Sequence, residues 1–207
     1  MDDGSTDNTR QIVTKIADDR LRYIKHEKNK GLASALNTGF KAARADFLAE
    51  LSTDDTWIQN TYLSKTYEAL SHSPEDIGAV YTGMLKEHIN GSENLTPPAD
   101  LEKKEGMLYE EFLKQNFTGF QAMVIKKEAF EKVGGVNEQL LAVQDWDFLI
   151  RFSRVYKLLY ISEAMVRVPI LNDSITKNQR KRLFYREMIF NKHISEFKKR
   201  PVLCAQH

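Results

Sequence analysis

The sequence predicts a three-layer α/β domain, and three observations predict it. Apolar runs of strand length alternate with amphipathic segments of helical length. Turn-forming residues punctuate them, as in "STDD" after "DFLAEL" and in Gly134-Gly135 after a helical stretch. At 207 residues with 42% hydrophobic content, the chain can bury one substantial core. One domain over residues 1–176 is therefore expected, followed by a basic amphipathic helix and tail over 177–207.

The chain opens on "MDDGSTDNT", an acidic turn that leads into a helix with no strand ahead of it. Ser5, Thr6 or Asp7 caps that helix, which is expected from Asp7 to Ala17, and Leu21 to His26 reads as a short strand. "GLASALNTGFKAAR" places Leu32, Leu36, Phe40 and Ala43 on one helical face, and the apolar strand Asp46 to Leu51 follows. Gln59 to His72 is expected to be helical and Ile77 to His88 to form one or two strands. The turn-rich stretch Ile89 to Gly106 reads as a loop. Met107 to Lys114, Lys127 to Val133 and "QDWDFLIRFSRVY" read as helices; Phe120 to Ile125, "KLLYIS" and "AMVRV" read as strands. A last helix, Lys177 to Lys199, would carry Leu183, Phe190, Ile194 and Phe197 on one face.

Composition excludes several classes. No run of about 18 apolar residues spans a bilayer and no apolar segment follows the start as a signal, so a cytoplasmic location is the expectation. The single cysteine, Cys204, supports neither a disulfide framework nor a thiolate metal cluster. The five histidines, His26, His72, His88, His193 and His207, lack ligand spacing and read as surface or core filler. A net charge of +1 argues against nucleic acid as a partner. Arg180 to Arg200 nevertheless carries eight Lys/Arg against two Glu, leaving the remainder at −5. Such a body needs a metal ion or local cations to hold a polyanion. The basic helix either packs on the body with its charges solvated or contacts an anionic membrane surface.

Three acidic clusters could carry chemistry. Asp54-Asp55 follows an apolar strand, where paired carboxylates offer hard oxygens to Mn²⁺ or Mg²⁺, or else cap the following helix. Asp3, in the turn before the first helix, could accept hydrogen bonds from a base or ribose. Asp145 sits at the start of an amphipathic helix, where the dipole keeps a carboxylate ionised as a general base or simply as a stabilising first-turn acid.

Taken in order, "DDGSTDNT", "NKGLASALNTGFKAARADFLAELSTDD", "FTGFQAMVIKKEAFEKVGGVNE", "QDWDFLIR" and "VRVPILNDSIT" resemble the family-2 glycosyltransferases. These are inverting enzymes with the GT-A nucleotide-diphospho-sugar fold, a Rossmann-like three-layer sandwich. The resemblance implies that Asp3 contacts the nucleotide base and that Asp54 and Asp55 hold the sugar diphosphate, with Asp55 the direct ligand of Mn²⁺ or Mg²⁺. Asp145 would be the base that deprotonates an acceptor hydroxyl, with Gly119, Trp146 and Arg167 on the acceptor side. The implied donor is a nucleotide-diphospho-sugar, UDP-linked, and the acceptor a saccharide or lipid-linked hydroxyl in polysaccharide or glycolipid synthesis.

Departures from the family pattern accompany the matches. Ser52 stands where the metal motif usually begins with Asp, Gln144 where a Glu usually precedes the base, and Pro169 where a late His is common. The family's first strand, nucleoside loop and helix have no counterpart, so the chain reads as N-terminally truncated. Unpaired edges would then invite swapping or a homo-oligomer. The alternative to an active transferase is an impaired remnant that acts as a binding module.

Overall fold

The computed structural model describes residues 1–170 and 179–200, with 179–182 described by their backbone alone. Helices α1 (Thr9–Val13) and α2 (Leu32–Ala42) precede strands β1 (Phe47–Ala49) and β2 (Thr56–Trp57). Helix α3 (Tyr62–Ser71) leads to strands β3 (Ile77–His88) and β4 (Glu93–Thr96). Next come α4 (Tyr109–Lys114), β5 (Met123–Lys126), α5 (Lys127–Lys132) and α6 (Gln144–Phe152). Strand β6 (Lys157–Ile170) and helices α7 (Gln179–Lys192) and α8 (Ile194–Lys198) complete the described chain.

The sheet runs β1-β5-β3-β6-β2, with β4 paired to the distal part of β3. Its spine is β3, whose Ala79, Val80 and Tyr81 are fully buried because helices cover both faces. β3 and β6 pair in parallel, while β1–β5, β3–β5, β3–β4 and β2–β6 are antiparallel, so the sheet is mixed. Opposite Thr82 and Gly83, β6 bulges between Ile161 and Ala164. Gly83 is required there, since a Cβ would lie 2.8 Å from the Glu163 carbonyl oxygen.

Several expectations change for physical reasons. The first helix shrinks to α1, which buries no residue, and a short helix without a packed face has little to hold it beyond five residues. Leu21 to His26 is no strand; its one pairing is a parallel bridge between Lys25 and Asp2. On α2 the buried face is Ala33, Leu36 and Phe40, whereas Leu32 is half exposed and Ala43 already leaves the helix in extended conformation. The stretch read as a loop contains β4, closing a hairpin on β3 through a turn at Asn90-Gly91. β2 escapes a periodicity reading because it is two residues long. "KLLYIS" and "AMVRV" are one bulged strand, and Phe120–Ala122 is a 3₁₀ turn ahead of β5.

The last helix divides at His193. Its packed face is Tyr185, Ile189 and Phe197, with Phe190 and Phe197 in ring contact at 4.8 Å; Leu183 points outward. Several basic side chains expected to stay solvated are engaged on the body. Lys192 reaches Asp147, Arg200 reaches Glu110, and Arg186 lies over Trp146. Residues 171–178 and Cys204 lie outside the described residues. Among those described, no helix is long and apolar enough to cross a membrane.

Candidate active site

The chain leaves β1 through Glu50 and turns at Ser52, where the Asp55 N–H donates to the Ser52 carbonyl at 3.1 Å. The turn is needed because β2 begins at Thr56 and must pair with Arg167 of β6. Three carboxylates crowd this corner. Desolvation pushes the Asp55 carboxyl up to about 7, and the charges of Asp54 and Glu50 add to the effect. Glu50 is likewise raised, first by burial, then by Asp54 and Asp145, against a 2.7 Å hydrogen bond donated by Ser52 Oγ.

Asp145 lies in the first turn of α6 rather than capping it. The residue at the cap is Val143, held at φ 54°, a left-handed conformation that strains a β-branched side chain. One carboxylate oxygen of Asp145 accepts from Asn116 Nδ2 at 2.9 Å and the other from the Trp146 N–H at 2.8 Å. Burial raises its pKa above the ordinary carboxylate value, while these two donors and the Lys86 charge pull the other way. The Glu50 carboxyl feels the charges of both Asp54 and Asp145, so the strand-exit acids and the α6 carboxylate are linked electrostatically.

Asp3 occupies a different environment. Its carboxylate accepts from the Lys30 N–H at 2.9 Å, the Gly31 N–H at 2.7 Å and His26 Nδ1 at 2.7 Å. Burial opposes ionisation, but these donors hold Asp3 below its usual value. His26 in turn lies 2.9 Å from Thr38 Oγ1 on α2, so it is a buried connector rather than filler. Asp2 accepts from Tyr23 Oη and, at 2.7 Å, from the Ser5 N–H, and is pulled down to about 2. The turn demands glycine: Gly4 has φ 84°, and a Cβ there would stand 2.6 Å from the Asn29 nitrogen.

The remaining expected residues are placed as follows. Trp146 is 5% exposed and donates its indole N–H to the Phe112 carbonyl at 2.6 Å, fastening α6 to α4. Gly119 is buried in extended backbone with the Gln121 amide folded over it. Arg167 stands half exposed between Glu87 and Glu93, 3.7 Å from each, and opposite Thr56, next to the Asp54-Asp55 turn. Gln144 is buried, and its Oε1 has no partner among the described residues. Sequence reasoning missed Glu50 and Asn116. Glu50 carried a usable signal, an acid at the exit of an apolar strand; Asn116 carried none, since its partner is 29 residues away.

As a metal site the corner has a definite character. Among the described residues no three His, Cys, Asp or Glu side chains converge to hold an ion. Asp54, exposed, and Asp55, half-buried, supply hard oxygens at this turn, a donor set that suits an ion shared with substrate phosphates. Two clefts of about 540 and 440 Å³ both border Phe47; neither is lined by Asp55 or Asp145.

Comparison with known proteins bears on this geometry. The profile of Glycosyl transferase family 2 matches residues 1–134. An uncharacterized glycosyltransferase of Haemophilus influenzae is 29% identical over 132 residues, covering 63% of this chain and 44% of that protein. The Escherichia coli UDP-Glc:alpha-D-GlcNAc-diphosphoundecaprenol beta-1,3-glucosyltransferase WfgD is 46% identical over 59 residues, 28% of this chain and 23% of its own length. The chain thus spans at most about half the length of these relatives. Among solved structures, S. aureus TarS 1–349 superposes with a TM-score of 0.64 at 20% identity, over 81% of this chain and 49% of that one. The Pyrobaculum calidifontis mannosyltransferase PcManGT, solved with GDP-Man and Mn2+, gives 0.67 at 18% identity, over 94% and 53%. These likenesses show a GT-A-like α/β fold, and with the profile match over most of the chain they carry one conclusion: the chain belongs to glycosyl transferase family 2.

Proposed function

We propose that the chain transfers a sugar, with inversion, from a nucleotide-diphospho-sugar to a hydroxyl of a saccharide or lipid-linked acceptor, and that Asp145 is the general base. The observation that carries this reading is the Asp145 carboxylate held in the first turn of α6 by Asn116 Nδ2 and the Trp146 N–H, with Glu50 feeling its charge together with that of Asp54. A sugar hydroxyl is a weak nucleophile and needs a carboxylate in reach with a pKa nearer the working pH than that of a free aspartate. Burial gives Asp145 that character, and its place on α6 fixes it.

Asp55, with Asp54 beside it, would hold Mn²⁺ or Mg²⁺ together with the donor diphosphate. Such an ion neutralises the leaving diphosphate. Burial pushes Asp55 up to about 7, and the charges of Asp54 and Glu50 add a repulsion that a cation would relieve. Arg167, opposite Thr56, supplies a cation at the same corner, and Asp3 would take its place beside the nucleotide base. A UDP-linked donor and a lipid-diphosphate acceptor are proposed because the relative WfgD is named for that pair.

The test is transfer of radiolabelled glucose from UDP-glucose to a GlcNAc-diphospholipid, with and without Mn²⁺. Asp145→Asn should lower the rate by about 10²–10⁴ while leaving the circular dichroism spectrum unchanged. An Asp145→Asn protein within a few-fold of the parent rate would remove Asp145 from the role.

A further inference from the structure

We propose that Asn116 is a positioning residue for Asp145, holding its carboxylate in one orientation and in the charged form. The inference rests on the reading of Asp145 as the base and adds a residue to that site. Asn116 follows α4, which the Trp146 indole ties to α6 through the Phe112 carbonyl, so the Asn116 backbone is fixed relative to the α6 N-terminus. From there Nδ2 donates to one Asp145 oxygen at 2.9 Å, and the Trp146 N–H donates to the other at 2.8 Å. Each oxygen keeps a lone pair for an incoming hydroxyl.

The amide itself shows what it is for. Asn116 Oδ1 is buried and has no partner among the described residues, so its contact with Asp145 alone orients the side chain. A purely packing role would be served better by an apolar residue, which strands no buried oxygen. Turning the amide over would set Oδ1 against the carboxylate. The geometry therefore favours one state, a donor facing an ionised Asp145. Other groups facing this carboxylate are Lys86 from β3, the Trp146 N–H from α6 and Glu50 from the exit of β1. Lys86 and the N–H favour the charge, while Glu50 and burial oppose it.

Removing the donor should raise the Asp145 pKa, and placing a carboxylate there should raise it further. The test measures the pH profile of kcat/KM and the ¹³C titration of the Asp145 carboxyl, assigned by its disappearance in Asp145→Asn, for Asn116→Ala and the isosteric Asn116→Asp. The acid limb and the carboxyl titration should both move up by about half a unit or more in Asn116→Ala, and further in Asn116→Asp. On the acid limb kcat/KM should fall by about threefold or more, recovering as pH rises, with UDP affinity unchanged. Asn116→Asp keeps the shape of the side chain and serves if the alanine variant fails to fold. A folded variant whose carboxyl titrates like the parent's overturns the inference and leaves the base reading standing. An active Asp145→Asn overturns the base reading whatever Asn116 does.

Discussion

Asp145 stands on a helix sunk into the core, whereas Asp3 stands in a turn held almost entirely by polar contacts. Around α6, Trp146, Phe148, Leu149, Ile150 and Phe152 are buried, and Phe112 stacks on Phe117 at 4.4 Å against the same core. Residues 1–31 contribute no buried apolar side chain: α1 buries nothing, and Ile12, Ile16 and Leu21 are 56%, 56% and 42% exposed. Asp2 with Tyr23 and Ser5, and Asp3 with His26, Lys30 and Gly31, hold that region together, and His26 with Thr38 and Arg22 with the Ala42 carbonyl tie it to α2. A packed core and a polar latch thus hold the two ends of the proposed site. Regions of the second kind open locally at small cost, without global unfolding.

The largest effect should come from breaking the core-built side. Asp147 is fully buried on α6 and accepts from Lys192 at 2.6 Å, Arg151 at 2.9 Å and His193 at 3.4 Å. Burial works against its charge, yet these partners hold Asp147 far below the usual carboxylate range. Asp147→Ala takes away the shared acceptor of Lys192, Arg151 and His193 and undocks α7 from α6. Urea unfolding should show a loss of about 3–5 kcal/mol, spread over the whole body. A loss under about 1 kcal/mol would mean that the core needs no clamp.

Breaking the latch should do less and act only locally. His26→Ala removes the donor to Asp3 and the link to Thr38, so amide exchange over residues 1–31 should quicken by about tenfold while β3 and α6 stay protected. Acid should act the same way. Asp2 and Asp3 have folded pKa values below the unfolded ones, so their contribution is present above about 4 and lost as pH falls. For Asp2 that loss runs from its unfolded value of 3.8 down through about 2. Exchange at pH 3 that quickens evenly over the whole chain would erase the distinction between latch and core.

Legibility from sequence follows the same divide. β3 and α6 could be read because buried elements need long apolar runs at a fixed period, and both have them. β2 and β4 could not, because they are short, polar and defined only by partners far along the chain. The Asp54-Asp55 and Asp145 positions were legible as acids at a strand exit and a helix start. Glu50 offered the same strand-exit signal, whereas Asn116 and His26 offered none, because each matters through a neighbour that only the fold supplies. The clamp at Asp147 escaped for the same reason. His193 looks like an isolated histidine until α7 ends and turns it inward.

The claim that two acidic clusters do separate jobs is tested most directly by calorimetric titration with UDP and Mn²⁺ on the parent, Asp55→Ala and Asp145→Asn proteins. The account predicts binding of about micromolar affinity in the parent, its loss in Asp55→Ala, and its retention in Asp145→Asn. No binding to the parent at millimolar nucleotide, or equal loss in both variants, would contradict it.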